Sequence, residues 1–582
     1  MIIKARTQRN TYFDSITLMK IARTLTAMPG VEDAAAVMAT APNVQLLAEA
    51  GLGPLDTQAG PGDVLLVVRA SDEESAQAAL EAAQEQLARR SISGASDGTS
   101  SEPEQPRSLE QAARLQPDAR LALISVPGPY AALESEQALR AGLHVFLFSD
   151  NVALDDEIAL KHLARESGLL LMGPDCGTAM LNGVGLGFVN VVPRGPIGIV
   201  GASGTGIQQV MSLIAQEGNG VSQVIGCGGR DLSEAVGAIT TIQGIQLLQA
   251  DEQTEVIVLI SKPPAPSVAQ RVIEEACKTS KPVVVIFVGA DHDALQSRYG
   301  DRVTITHTLT EAAQKAVALC KSKDEPGTIP APQGPESMGT ITIAPPPVVI
   351  PPVEIDGTRA VSLETSGTTA SDATSSIQTP GDTVPANTIP IANAGPARDT
   401  PTYQYQKRTS GQERIVALFS GGTLCDEAMH IWAERVGPVY SNIPLEPAWR
   451  LSEGQRAPGH SAIDFGADEY TRGRPHPMID PSLRLKRFQE EAGDPGVAVI
   501  LLDIVLGYCS HPDPAEVYVP AIVSALEQAA NANRLLACVI SLCGTEDDPQ
   551  RLSAQVARFR EAGAEVFTSN AEAATRCAEL VS

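Results

Sequence analysis

Several things the chain lacks narrow its reading first. No apolar run approaches the roughly eighteen residues needed to span a bilayer. No two cysteines form a CxxC pair, and the nine present are an odd number, several of them within apolar strand patterns (Cys227, Cys509, Cys538). This argues against a disulfide framework and against a zinc site; reduced core thiols of a cytoplasmic protein are expected, with no metal. Basic residues are scarce, 43 Lys and Arg against 69 Asp and Glu, for a net charge of −26. A surface so acidic repels polyanions, so nucleic acid is not expected as a partner. Lys4 and Arg6 are followed by Tyr12-Phe13-Asp14 and not by an apolar core, which reads against a secretory leader. The dinucleotide fingerprint GxGxxG is missing after the first strand of the α/β region, so NAD is not expected either.

Glycine, by contrast, is placed with purpose. Residues 197–211 read Ile-Gly-Ile-Val-Gly-Ala-Ser-Gly-Thr-Gly-Ile-Gln-Gln-Val-Met. A short apolar strand runs into a turn at Ser203, Gly204, Thr205 and Gly206, and a helical pattern follows through Gln208, Met211 and Ile214. A helix starting this way is an anion site, because its first-turn N–H groups lack partners and its dipole favours negative charge. The unit recurs at 415–429, where the strand Ile-Val-Ala-Leu-Phe leads through Ser420, Gly421, Gly422 and Thr423 into a second helix. Two such turns in one chain point to paired domains around one site.

At 582 residues the chain exceeds a single core. Residues 1–90 read as a small α+β domain, with an amphipathic helix from Ser15, a short helix over 42–50 and a strong strand over 64–69. The Ser/Gly/Pro/Glu-rich segment 91–107 reads as a linker. Strands and helices then alternate over 107–192, the rhythm of a Rossmann-like parallel sheet. A second α/β unit covers 195–322, and Gly226-Cys-Gly-Gly-Arg-Asp231 adds another glycine turn, with Gly228, Gly229 and Arg230 near the presumed site. Residues 325–410 are dominated by Pro, Thr, Ser, Gly and Ala and read as a disordered linker. A third α/β unit spans 413–582. Within it, 463–480 reads as a long loop dense in Asp, Arg and His, and such loops at strand ends carry function.

Gly173-Pro-Asp-Cys176, 198–205, Gly226-Cys-Gly-Gly229 and Lys281-Pro-Val-Val284 resemble the α subunit of succinyl-CoA synthetase and its NDP-forming acyl-CoA synthetase relatives. With the small N-terminal domain, the block Gly-Arg-Pro-His-Pro-Met-Ile-Asp at 473–480 and Leu502-Asp-Ile-Val-Leu-Gly-Tyr508, the chain outside its linkers resembles the FdrA family. The resemblance implies a Rossmann-like domain followed by two flavodoxin-like, synthetase-like domains, and helices starting near Thr205 and Thr423 that share one phosphate. The synthetases carry a phosphorylated histidine in a Gly-His-Ala-Gly loop. Here that loop is shortened to 288–300, and His292 is what remains as a substitute. The glycine loop that binds CoA is missing too, so CoA stays an open alternative and no cofactor is fixed.

A phosphate cradle without a histidine relay suits direct transfer of an acyl-like group. FdrA-family proteins resemble a subunit of oxamate carbamoyltransferase, and that resemblance implies transfer between oxalurate and phosphate, giving carbamoyl phosphate and oxamate, with companion subunits as partners. The alternatives are an NDP-forming acyl-CoA ligase and a non-catalytic scaffold. On the first reading Ser203, Gly204, Thr205, Gly206, Gly421, Gly422 and Thr423 hold phosphate. Arg474 or Arg472 would clamp charge. His476 would be the acid or base, oriented by Asp480. Pro475 and Pro477 also suit His476 to a rigid turn, and Asp480 to a helix cap. His511 follows a strand and is a further candidate. Cys425, at a helix start where thiolate is favoured, is a candidate nucleophile, with a buried core thiol as the preferred reading.

Overall fold

A computed structural model describes residues 2–320 and 413–582, except 10, 12, 14, 27, 41–42, 45–46, 49–50, 54–58, 61, 93–105, 107, 453 and 473. The segment 325–410, nearly all of 91–107, most of 42–50 and Gly473 lie outside the described residues.

The N-terminal unit is β1 (Ile2–Gln8), α1 (Ser15–Thr26), β2 (Val31–Met38), β3 (Val64–Ala70) and α2 (Glu73–Ile92). Its antiparallel sheet runs β1-β3-β2. Central β3 is apolar on both faces because both are covered. Leu66 and Val68 pack under Leu18, Leu25, Leu80 and Leu87 of the two helices, while Leu65 and Val67 meet Leu47 and Leu52.

The next unit comprises α3 (Leu109–Leu115), β4 (Leu121–Ile124), α4 (Gly128–Arg140), β5 (His144–Leu147), α5 (Leu154–Glu166) and β6 (Leu171–Met172). β4, β5 and β6 form a short parallel sheet. The hairpin β7 (Thr178–Leu181) and β8 (Val184–Gly187) then crosses into the following sheet. That sheet holds β9 (Arg194–Gly201), β10 (Val221–Gly226), β11 (Val256–Ser261), β12 (Val283–Phe287) and β13 (Thr304–Ile305) in the order β13-β12-β11-β9-β10-β7-β8. Its helices are α6 (Gly204–Gln216), α7 (Ile239–Ala250), α8 (Pro266–Ala276), α9 (His292–Tyr299) and α10 (Leu309–Leu319). The order reverses beside β9, so α6 starts at the switch point of the sheet, where ligands of open α/β folds bind.

The C-terminal unit repeats the architecture. β14 (Arg414–Phe419), α11 (Gly422–Arg435), β15 (Val439–Ser441), β16 (His460–Asp464), α12 (Asp468–Thr471), α13 (Ser482–Ala492), β17 (Val497–Val505), α14 (Pro514–Asn531), β18 (Ala537–Cys543), α15 (Leu552–Glu561), β19 (Glu565–Phe567) and α16 (Asn570–Val581) follow in turn. The sheet is parallel throughout, in the order β15-β16-β14-β17-β18-β19. The start of the expected 463–480 loop is in fact strand: Ile463 and Asp464 end β16.

One apolar core joins the two large sheets. Met211 and Ile214 of α6 and Ala313 and Ala316 of α10 share it with Leu424, Met429 and Trp432 of α11 and with Ala573 and Cys577 of α16. Trp432 is fully buried and donates its indole N–H to Ala574 O at 2.7 Å. Truncating such a side chain costs about 3–5 kcal/mol. Polar bonds cross the same boundary: Asn190 Nδ2 donates to Leu506 O and Asp548 Oδ2, and Leu309 N donates to Glu427 Oε1 at 2.8 Å.

Candidate functional site

The joint core brings the two glycine turns together. Ser203 caps α6 in an extended conformation, its Oγ accepting from Gly206 N at 3.1 Å. The same Oγ lies 2.6 Å from Thr423 Oγ1 in the first turn of α11. A methyl group on Gly421 would fall 2.6 Å from Thr205 Cγ2, and one on Gly206 would fall 3.2 Å from Thr423 Cγ2. Neither Gly204 nor Gly422 has a positive φ, so what glycine supplies in these turns is closeness and not left-handed backbone. The first-turn amides of both helices, which have no carbonyl four residues earlier to bond, therefore open onto one place.

The C-terminal turn is held from below by a buried charge. Asp503, near the end of β17, accepts from Ser420 N at 2.7 Å, Ser420 Oγ at 3.0 Å and Gly421 N at 2.9 Å. Its partner is the buried Arg484 guanidinium, which also donates to Tyr518 OH at 2.7 Å. The Gly421 amide is thus spent on Asp503, and Gly422, Thr423 and Leu424 carry the amides left for a ligand.

Three charged groups that the sequence reading passed over stand at this opening. Lys262 follows β11; a methyl group on Gly422 would lie 3.2 Å from its Nζ. The ammonium is half-buried and, among the described residues, makes no hydrogen bond or ion pair. Asp464 ends β16, and its Oδ2 would be 2.6 Å from the same methyl group. Burial pushes its carboxyl up to about 6, against the pull of Lys262. Asp426, one turn into α11, is 8 % exposed, and its Oδ2 has no hydrogen-bond partner among the described residues. Burial raises its pKa, while Lys262 and His430 oppose the shift.

The other expected residues have different surroundings. Gly228 has a positive φ of 82° and packs its backbone on Pro174, while a methyl group on Gly229 would meet Asp175. Arg230 is engaged by Glu157 at 2.8 Å and by Val152 O at 2.7 Å. Asp231 pairs with the buried Lys161 at 2.6 Å. Arg472 and Arg474 are exposed, and among the described residues their side chains make no ion pair. His476 does approach the opening: its Nε2 and Asp464 Oδ1 would both lie 3.1 Å from a methyl group on Gly466, and its ring is 5.3 Å from Phe188. Burial and then the Arg484 charge push its pKa down to about 4, and Nδ1 accepts from Met478 N, so at neutral pH it is an uncharged turn residue. Asp480 does not orient it. Its Oδ1 accepts from Ser482 N at the start of α13, a helix-start turn that engages that oxygen locally. His511 likewise accepts from Asp513 N through Nδ1. His292 bonds Phe287 O at 3.0 Å and packs against His307. Cys425 is fully buried, and desolvation raises its thiol pKa well above the ordinary value, so it stays an unreactive core thiol.

Two helix starts meeting across a joint core, with two large and mainly parallel sheets behind them, define an α/β protein built from paired doubly wound units. Family models match at residues 1–105 (AllF, heavy metal-associated domain), 194–289 (CoA binding domain) and 418–580 (CoA-ligase). Escherichia coli K12 "Uncharacterized protein YahF" is 38% identical over 587 residues, covering 100% of this chain and 99% of its own length. The chain belongs to the YahF family, which is FdrA-like and related to succinyl-CoA synthetase α subunits. The mitochondrial succinate–CoA ligase subunit alpha-2 of Trichomonas vaginalis is 33% identical over 181 residues, 30% of this chain and 57% of that one. Subunit alpha 2 of Archaeoglobus fulgidus is 30% identical over 159 residues, 27% of this chain and 54% of that one. Of solved structures, the acetyl-coenzyme A synthetase 1 of Ca. Korarchaeum cryptofilum aligns over 83% of this chain and 87% of its own, with 14% identity and a TM-score of 0.31.

A heavy metal finds neither thiolate nor imidazole in the first match, because residues 1–105 contain no Cys and no His, the usual ligands of such ions beside methionine. Among the described residues no group of His, Cys, Asp and Glu is placed to hold a metal, and no helix is long and apolar enough to cross a membrane.

Proposed function

We propose that this chain transfers an acyl group between phosphate and a second acceptor at the meeting point of α6 and α11. The observation that carries the reading is the unpaired Lys262 ammonium beside Gly422, next to two sets of first-turn amides. A dianion placed there gains charge-assisted hydrogen bonds from both helices and a full positive charge. Lys262 would also face the oxyanion that develops as phosphate attacks the acyl carbon. Preorganised donors of this kind commonly supply the largest catalytic contribution. His292 is engaged by the backbone carbonyl of Phe287, which supports direct transfer over a phosphohistidine relay.

Among acyl groups, carbamoyl fits best. The buried, unpartnered Asp426 Oδ2 calls for an N–H donor, and –CO–NH₂ brings two where a hydrocarbon acyl chain brings none. The reaction would interconvert oxalurate plus phosphate with oxamate plus carbamoyl phosphate, in company with other subunits and in the cytoplasm. The second reading, an NDP-forming acyl-CoA ligase, is favoured by the two matches named for CoA, which make CoA plausible as the acyl carrier. After β4, where a glycine loop would hold its phosphates, the chain has Ser125-Val-Pro-Gly-Pro129, and a methyl group on Gly128 would be 2.3 Å from Asp150 O. Phosphorus NMR separates the two readings. Loss of carbamoyl phosphate only when oxamate is present supports carbamoyl transfer. Formation of acyl phosphate from succinyl-CoA and phosphate, or a stable phosphoenzyme from ATP, supports the ligase.

A further inference from the structure

The acyl transfer proposed above needs a proton moved. When an oxygen of HPO₄²⁻ attacks the acyl carbon, a C–O bond forms and the bond from carbon to the departing nitrogen or sulfur breaks. The phosphate proton must end on that leaving atom. His476, the histidine nearest the opening, is unsuited to the task, because its Nδ1 is occupied by Met478 N and it is neutral until about pH 4. Asp503 is taken up by Ser420, Gly421 and Arg484.

Asp464 is different. Its backbone is clamped on both sides by one side chain, Asn442: Asp464 N donates to Asn442 Oδ1 and Asn442 Nδ2 donates to Asp464 O, each at 2.9 Å. Its Oδ1 is anchored by Gly466 N at 2.9 Å. Oδ2 is left without a donor among the described residues, and it points at the first residue of α11 beside Lys262. One oxygen fixed and the other presented to the ligand is how a carboxyl group is aimed for proton transfer. The residue as a whole is 5 % exposed.

We propose that Asp464 is the general acid–base of this site: Oδ2 gives its proton to the departing atom and regains one from the attacking phosphate oxygen. The inference rests on the acyl-transfer reading. Its carboxyl titrates at about 6, close to neutrality, where both protonation states are populated. The charged and titratable groups around it come from several elements: Lys262 after β11, Asp503 on β17, Glu469 on α12, Cys425 and Asp426 on α11, and His476 of the following loop. Of these only Lys262 is a cation, and it draws the value down; burial, Asp503 and Glu469 draw it up.

The test uses the full chain and Asp464→Asn, which keeps the anchored oxygen and the shape but cannot exchange the proton. In the transfer assay that supports the parent reading, kcat should fall roughly 100-fold or more while KM for phosphate changes less than about threefold. The limb of the pH–rate profile near 6 should vanish, and Asp464→Glu should restore part of the rate with that limb present. Independently of turnover, calorimetric titration with inorganic phosphate at pH 6 in buffers of different ionisation enthalpy should show a different number of protons exchanged on binding for the native chain and for Asp464→Asn, the remainder in the variant coming from phosphate itself. Equal kcat, or an unchanged pH limb, overturns the role of Asp464 and leaves the acyl-transfer reading standing. Phosphate binding with the same proton count in both proteins overturns the role of Asp464 even if no turnover is found. Absence of any phosphate binding overturns both.

Discussion

Ser203 Oγ and Thr423 Oγ1 lie 2.6 Å apart although 220 residues separate them in the chain. The bond ties the start of one helix to the start of another, so it sets the spacing of the two amide clusters. Thr423→Val keeps the shape and removes the hydroxyl. Losing a buried hydrogen bond and leaving Ser203 with one partner fewer costs about 1–2 kcal/mol. Phosphate affinity measured by calorimetry should fall by up to about thirtyfold, with a stability loss of no more than about 2 kcal/mol.

The two first-turn glycines should respond unequally to alanine. A methyl group at Gly204 meets only Thr178 Oγ1, at 3.4 Å, whereas one at Gly422 falls 2.6 Å from Asp464 Oδ2 and 3.2 Å from Lys262 Nζ. Gly204→Ala should leave phosphate binding within about twofold of the native chain. Gly422→Ala should weaken it by at least about tenfold, because the methyl group occupies the opening itself.

Lys262→Met removes the cation and keeps the length of the side chain. Charge-assisted bonds contribute about 1.5–3 kcal/mol, so phosphate or carbamoyl phosphate affinity should drop roughly 10- to 100-fold. Because Lys262 holds the Asp464 value down, the pH limb assigned to Asp464 should move upward in this variant. An unchanged limb would mean that the two groups do not share one site.

Asp464 should be a burden on the fold at neutral pH. An aspartate ionises near 3.8 in the free chain and at about 6 here, so between those values the folded state binds more proton and stability falls as pH rises. Above about pH 6 the whole cost is present, about 3 kcal/mol at most. Asp464→Asn should therefore melt higher than the native chain at pH 8 and at the same temperature near pH 4. A variant that is less stable at pH 8 would contradict the buried, raised carboxyl.

Much of the scaffold could be read from the chain. The paired turns at 201–206 and 420–423 stood out because apolar strands run straight into Gly, Ser and Thr, a local signal. Asp464 and Lys262 had no such signal. Each is a single charged residue at a strand end, and each reaches Gly422 only through tertiary arrangement. Parallel pairing sets Phe419 against Asp464, which delivers that aspartate to a turn more than forty residues upstream. No periodicity within either segment encodes that pairing. The β7–β8 hairpin did have a local sign, Asn182-Gly183 with φ of 53° and 81°, the pair favoured in two-residue hairpin turns. The flanking strands are four residues each and the second is half glycine, so no alternating apolar pattern accompanies that sign. His476 and Arg474 drew attention by composition, since a loop dense in charge looks chemical, but His476 is held by its own turn and Arg474 is exposed.

The bonds from Asn190 to Leu506 and Asp548, and from Leu309 to Glu427, join segments encoded on either side of residues 321–412. With the shared core around Trp432 they have the character of an obligate subunit interface that happens to lie within one polypeptide. Covalent connection then acts mainly as a supplier of local concentration. Two separately translated pieces, 1–320 and 413–582, should find each other and rebuild the opening between α6 and α11. Gene fusion and gene fission would be nearly interchangeable for such a machine, at the expense only of a dependence on how much of each piece the cell makes.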